Sequence, residues 1–299
     1  MNPLKLITQP GFDYVVPANP TVSVNPDRPF VTWLNRATGE LFVCRDNTFG
    51  ANVWVGQMGT VVPTPEDDPY ANDVKILLPF GTAAAGWDDF SNNGYAGTPS
   101  GGAVISSFNS MGFAKPNRFS GYNTSGYFDG SSDWVTYSGL TDLDLGSNDF
   151  TLEVWACFTQ GSTGADYPCI CSKRYDYTSG HTFSLFQYRS SGLVRFAFGD
   201  TSNTNYLLDS TTICRWRFHH IAVTRTGNVF RLFIDGIVEA ELTAAIALQT
   251  CSTPFRVSAY NNTPGSSSYY QGFIQDLRLT LNRSRYSSNF IPPPRLATL

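Results

Sequence analysis

Charge is scarce in this sequence. Asp, Glu, Lys and Arg make up 15% of its 299 residues, and no cluster of Lys or Arg interrupts a net charge of −4. Binding to a polyanion rests on clustered cations that release counterions, so nucleic acid is not an expected partner. Histidine and methionine are limited to three residues each. No G-x-S-x-G, P-loop or G-x-G-x-x-G is present, which removes the usual supports for a serine nucleophile or a nucleotide cradle. No apolar run reaches the about 18 residues of a membrane helix, so no membrane insertion is expected. The opening MNPLKLITQPGFDYVV lacks the cationic and apolar regions of a signal peptide, so secretion is not expected either. Cys44, Cys157, Cys169, Cys171, Cys214 and Cys251 are spread without a disulfide-framework spacing and are expected to be reduced. Cys169 and Cys171, two apart, would share a face on a strand, but two thiols alone do not make a zinc site.

What is plentiful is aromatic and turn-forming: 22 Phe, 15 Tyr and 26 Gly. PTPEDDPY at 63–70 reads as an extended, solvated linker. Before it, alternation in Val31 and Trp33, and again in Leu41 and Val43, predicts two short strands, with NVWVG as a third. A sheet this small is marginal alone, so residues 1–62 are expected to form a small β module with a partner surface. From 71 to 299 nearly every segment alternates. DFTLEVWACF places Phe150, Leu152, Val154, Ala156 and Phe158 on one face. LVRFAFG does so with Val194, Phe196 and Phe198, FRVSAY with Phe255, Val257 and Ala259, and GFIQDLRLTL with Phe273, Leu277, Leu279 and Leu281. Strands spaced by Gly, Asn and Ser turns over this length predict an all-β, two-sheet jelly-roll sandwich.

HHIAVTRTGNVFRLFIDGIVEAE, residues 219–241, poses a choice between chemistry and architecture. Ile221 and Val223 alternate before Gly227-Asn228, and Phe230, Leu232 and Ile234 alternate before Asp235-Gly236, so the segment predicts a three-strand meander with a tight turn at each corner. His219 and His220, as strand neighbours, point to opposite faces and cannot both ligate one metal. One ring is expected to be buried with its nitrogens satisfied and the other to face solvent.

YFDGSSDWVTY, DFTLEVWACF, WRFHHIAVTRTGNVFRLFIDG and GFIQDLRLTLNRSRYSSNFIPP resemble, in order and spacing, successive strands of laminin-G-like, concanavalin A-like jelly rolls, over about 74–294. The terminal R-Y-x-x-N-F-x-P-P is similar to domains of bacteriophage structural proteins, and W-L-N-x-x-T-G-E-L-F-V-C-x-D-N-T resembles short modules of phage tail fibres and other virion proteins. The resemblance implies a non-enzymatic virion surface protein, assembled in the host cytoplasm. Its N-terminal module would contact other virion proteins, and its lectin-like domain would contact the host surface or its glycans, in the tail-fibre manner and with a homotrimer expected. Capsid or neck decoration and glycan hydrolysis are the alternatives. In the resembled family a histidine at the start of this central strand is structural.

Three kinds of site follow. Hydrolysis on such a sandwich needs paired carboxylates, but Glu153 stands alone in TLEVWA, and Glu239 and Glu241 read as a solvated strand edge. The resemblance implies a Ca2+ ion, for which Asp88, Asp89 and Asn92 in WDDFSNN, with Asp276 or Asp129, are the oxygen-rich candidates; Asx turns are the alternative use of the same residues. Sugar stacking needs exposed aromatic faces with polar neighbours, and the loops KRYDYTSGHT and NNTPGSSSYYQG offer Tyr175, Tyr177, His181, Tyr269 and Tyr270.

Overall fold

The computed structural model describes residues 14–16, 20, 31–35, 40–46, 53–56, 61–62, 68, 70–80, 86–106, 124–138, 143–159, 166–174, 181–259 and 268–293. The chain divides into two compact units: Met1–Pro69 with Pro116–Gly121 and Ala297–Leu299, and Tyr70–Lys115 with Tyr122–Leu296.

In the first unit β1 (Tyr14–Val16), β2 (Thr32–Asn35), β3 (Glu40–Asp46), β4 (Val53–Gly56) and β5 (Val61–Val62) form one five-stranded sheet in chain order. β1 runs parallel to β2, and the other pairs are antiparallel. Trp33 pairs with Phe42, so Phe42 and Cys44, not Val43, share the buried face with Val31, Trp33 and Trp54. The antiparallel register decides this, because slipping by one residue would turn every side chain over.

The second unit begins with β6 (Val74–Leu78), β7 (Gly97–Ser100), β8 (Val104–Ser106), β9 (Ser125–Asp129) and β10 (Trp134–Tyr137). β11 (Phe150–Phe158), β12 (Cys169–Arg174), β13 (His181–Gln187), β14 (Leu193–Gly199) and β15 (Asn205–Ile213) follow. β16 (Phe218–Thr226), β17 (Val229–Ile234), β18 (Ile237–Thr243), β19 (Phe255–Val257) and β20 (Gln271–Leu281) complete it. A seven-stranded sheet has the order β15-β14-β13-β12-β19-β10-β7, and the other runs β18-β17-β16-β11-β20-β9-β8, with β6 also on β20. Side chains of both sheets meet in one core, which contains the expected Phe150, Leu152, Val154, Ala156 and Phe158, and Val194, Phe196 and Phe198. The jelly-roll expectation holds.

The meander at 219–241 also holds. Thr226 pairs with Val229 across Gly227-Asn228, and Ile234 with Ile237 across Asp235-Gly236. Gly227 has φ +59°, while Asp235 and Gly236 have φ +51° and +80°, the left-handed conformations such corners need. A Cβ at Gly227 would meet nothing within 4 Å. Gly227→Ala is therefore expected to cost about 1 kcal/mol from backbone strain alone, seen as a drop of a few degrees in a thermal melt.

β20 departs from simple alternation. Glu153 pairs with Arg278 but Trp155 with Gln275, so two residues of β20, Asp276 and Leu277, oppose Val154 of β11, and Asp276 takes φ +50°. The bulge changes parity, so the core face carries Ile274, Leu277, Leu279 and Leu281. Phe273, expected on that face, instead packs its ring 5.1 Å from Tyr127. At the opposite edge, Glu239 of β18 accepts hydrogen bonds from the backbone N–H of Thr211 (2.7 Å) and Thr212 (3.0 Å) on β15, joining the edges of the two sheets. That use of Glu239 replaces the solvated role expected of it.

Candidate functional site

The seven-stranded sheet turns one set of side chains toward the core and the other outward. Phe183 and Leu185 of β13 and Phe196 and Phe198 of β14 point in, so Phe186 and Arg195 point out. Register then lines up a row across the sheet: Cys169 opposite Phe186, Phe186 opposite Arg195, and Arg195 opposite Asp209. A register shift between Cys169 and Cys171 puts Cys171 in the core and Cys169 beneath Phe186, so the two thiols do not share a face. All six cysteines are free. Among the described residues no three His, Cys, Asp or Glu side chains converge as a metal would require.

On this row stands an aromatic group. Tyr167, 39% exposed, meets Phe186 edge-on at 6.0 Å and Tyr188 at 5.4 Å between ring centroids. The Arg195 guanidinium lies 4.6 Å above the Tyr188 ring, bonds the Tyr188 hydroxyl, and reaches Asp209 with Nε and Nη2, each at 2.5 Å. Fixed aromatic faces beside oriented donors and acceptors are what a sugar ring and its hydroxyls require. Sequence reasoning passed over these residues. The outward parity of Arg195 and Asp209 was readable, but their pairing depends on the register of β14 on β15, which alternation alone does not fix.

The stacking residues expected from sequence lie elsewhere. Tyr270 is fully buried, its ring 4.9 Å from Phe158 and 6.2 Å from Phe128. Tyr269 is also buried, stacked at 5.8 Å on Trp134. His181 is 2% exposed, with Nδ1 3.0 Å from Asn205 Oδ1 and Nε2 3.2 Å from Ser184 Oγ. Burial, followed by the nearby Arg174, lowers its pKa to about 4, so the ring is neutral at physiological pH. These three side chains present no open face for stacking. Tyr175 and Tyr177 lie outside the described residues.

The calcium candidates are not arranged as a cage. Asp89 is buried and its Oδ1 accepts from the N–H of Leu77 (2.7 Å) and Ser91 (2.8 Å), its Oδ2 from Ser91 Oγ (2.6 Å). This is an Asx turn that also caps the neighbouring strand. Asn92 is exposed, Asp88 is half-buried, and Asp276 is buried in the bulge of β20. Asp129 engages Ser131 through both oxygens, at 2.8 Å and 2.6 Å. The oxygens of Asp89 and Asp129, already committed to turn hydrogen bonds, do not fit a Ca2+ ion.

The histidine pair does split across β16, but both rings are buried. His219 Nδ1 sits 2.9 Å from Asp235 Oδ2. His220 lies against Trp155 and Phe290 at 5.2 Å and 5.6 Å, because residues 284–293 cover the outer face that was expected to be open to solvent. Glu153 is not alone there. Arg278 donates to its Oε1 from Nη2 (2.6 Å) and Nε (2.9 Å), Tyr286 donates to Oε2 at 2.9 Å, and His220 Nε2 stands 3.3 Å away. Burial alone would raise the carboxyl, but Arg278, His220 and Arg285 outweigh it and hold it well below the usual range. A carboxylate engaged this fully secures the covering segment and is not disposed for acid or base work on a substrate.

Residues 129–283 match the profile of a family described as the concanavalin A-like lectin/glucanases superfamily. A search of curated proteins gives no match. Among solved structures, the binding domain of paraclostridial mosquitocidal protein 1 is similar with a TM-score of 0.54 and 10% identity, over 71% of this chain and 49% of that one. The botulinum neurotoxin serotype D binding domain gives 0.51 and 12%, over 71% and 49%, and the receptor binding domain of the C/D mosaic serotype 0.51 and 11%, over 70% and 48%. The chain thus spans about half the length of these structures, and at such identities the likeness concerns the fold alone.

Proposed function

The chain belongs to the concanavalin A-like lectin/glucanase superfamily, and from that premise we propose that it is a non-enzymatic binding protein of a bacteriophage particle surface, recognising glycans of the host. The observation that carries the binding role is the exposed Tyr167 ring with Tyr188, packed on the buried Phe186 beside the Arg195–Asp209 pair. The Tyr167 ring offers stacking area, and the paired charges orient hydroxyl groups without a large unbalanced field. The engagement of Glu153 by Arg278 and Tyr286 supports the non-enzymatic part. The virion role rests on the resemblance of the R-Y-x-x-N-F-x-P-P and W-L-N-x-x-T-G-E segments to phage proteins and on the division of the chain into two units. In this reading the N-terminal unit docks to other virion proteins and the sandwich meets the host. Single lectin sites are weak, and display as a homotrimer in many copies supplies avidity.

A second reading, capsid or neck decoration, is favoured by Ile237, Val238 and Ile291, three exposed aliphatic side chains at one place in the fold, where Val238 N–H bonds Asn289 Oδ1. A glycan array probed with the full chain tests the first reading. Tyr167→Ala is expected to weaken glycan binding about tenfold, about 1.4 kcal/mol, with stability unchanged within about 0.5 kcal/mol. Equal binding by the variant would remove the site. Gold-labelled antibody on intact particles separates the tail tip from the capsid lattice.

A further inference from the structure

We infer that the segment Ile213–Arg217, between β15 and β16, forms a subsite for the carboxylate of an acidic sugar, an inference that rests on the glycan-binding reading. Trp216 is 63% exposed and takes φ +64°. An indole there breaks two rules at once, since a large apolar side chain faces water and a non-glycine residue sits in the left-handed region at a cost of about 1–2 kcal/mol. Its backbone N–H donates to Phe158 O at 2.9 Å, a bond glycine would make equally well. Most of the indole faces water, and among the described residues no aromatic ring pairs with it. Backbone strain kept at an exposed aromatic points to use.

Arg215, its neighbour, is held in place. Nη2 donates to the carbonyls of Arg189 (2.6 Å) and Ser190 (3.0 Å) in the β13–β14 turn. Gly192 makes room beneath it. A Cβ there would stand 2.5 Å from Arg215 Nε and 2.8 Å from Ile213 Cγ2. Among the described residues no carboxylate lies in ion-pair distance of Arg215, whereas Arg195 has Asp209 and Arg217 has Asp235 at 3.3 Å. Its Nε is buried with no hydrogen-bond partner. The turn that holds Arg215 also adjoins the aromatic group, because Arg189 N–H donates to the carbonyl of Asp166, the residue before Tyr167. A fixed guanidinium of uncompensated charge, next in sequence to an exposed indole, suits one ligand chemistry: a planar carboxylate on a sugar ring, the acid on Arg215 and the ring on Trp216. Uronic and sialic acids both carry that combination.

The test is surface plasmon resonance of the full chain on multivalent 3′-sialyllactose, its carboxyl-reduced form, lactose and a hyaluronan tetrasaccharide. Acidic probes are expected to bind at least about tenfold tighter than the neutral ones, with the difference shrinking between about 50 mM and 500 mM salt. Arg215→Gln and Gly192→Ala are expected to bring acidic and neutral probes within about twofold, and Arg215→Lys to restore part of the difference. Trp216→Gly is expected to weaken acidic binding about tenfold while raising the melting temperature, because glycine relieves the strain. A structural role for the tryptophan would lower it, and that outcome overturns the inference. So does equal binding of acidic and carboxyl-reduced probes, or discrimination that survives in Arg215→Gln. If neutral and acidic glycans bind alike and Tyr167→Ala removes both, only the subsite falls. If no probe binds, the glycan reading falls with it.

Discussion

Glu153→Ala is expected to lower stability by about 3–5 kcal/mol, because it leaves the Arg278 guanidinium buried and without its carboxylate. Both side chains are cut off from water, and desolvating a cation without its counterion costs more than the pair contributes when intact. The loss reaches beyond the pair. Tyr286 loses its acceptor at 2.9 Å, and Tyr286 stacks on Phe290 at 3.6 Å within the segment that covers Trp155 and His220. The variant should therefore melt roughly 6–20 °C lower, at about 2–4 °C per kcal/mol for a unit of this size. Amide exchange should accelerate at 284–293 before it does in β11. Glu153→Gln keeps two acceptor-donor contacts and should lose less. A destabilisation below about 1 kcal/mol, or exchange unchanged over the covering segment, would contradict this account.

Acid should act through His181 before it acts through any carboxylate. The folded imidazole titrates at about 4 against 6.5 for the free group, held down by burial and then by Arg174, while Asn205 and the Ala197 backbone pull the other way. Between these two values the unfolded chain binds a proton that the folded chain does not. Stability is therefore complete above pH 6.5 and is lost as pH falls toward 4, by about 3 kcal/mol at about 1.4 kcal/mol per unit. The carboxyls of Glu153, Asp235 and Glu239 are held below their ordinary values, so their share is lost at lower pH. Urea denaturation at pH 7, 6, 5 and 4.5 should show the decline in the wild type and a flatter course in His181→Gln. Parallel declines would mean that another group carries the effect.

The parts of this fold legible in the sequence were those governed by local rules. Alternation in Phe150–Phe158 identified the core face of β11 because a regular strand has period two, and Gly227-Asn228 and Asp235-Gly236 marked their corners because few residues accept positive φ. What failed were consequences of register. The bulge at Asp276 exchanged Ile274 for Phe273 on the core face, and the shift after Cys169 separated two cysteines that alternation had put together. A bulge adds one residue to one strand only, and nothing in that strand's own composition announces it. Three of the expected stacking residues proved closed for a related reason. Tyr269, Tyr270 and His181 sit in polar, loop-like surroundings, yet burial depends on what packs over them from distant segments. His220 is the same case, since the segment that covers it lies some seventy residues downstream.

The clasp that Glu239 makes between β15 and β18 has a meaning for assembly. Each of these strands is the last in its sheet, and a last strand offers unpaired backbone to any strand that approaches. By taking up the N–H groups of Thr211 and Thr212, one carboxylate occupies donors that an incoming strand would need, and it puts a negative charge at the opening. Wherever copies of this chain come close together, closed margins of this kind keep them from growing into one another as a continuous sheet.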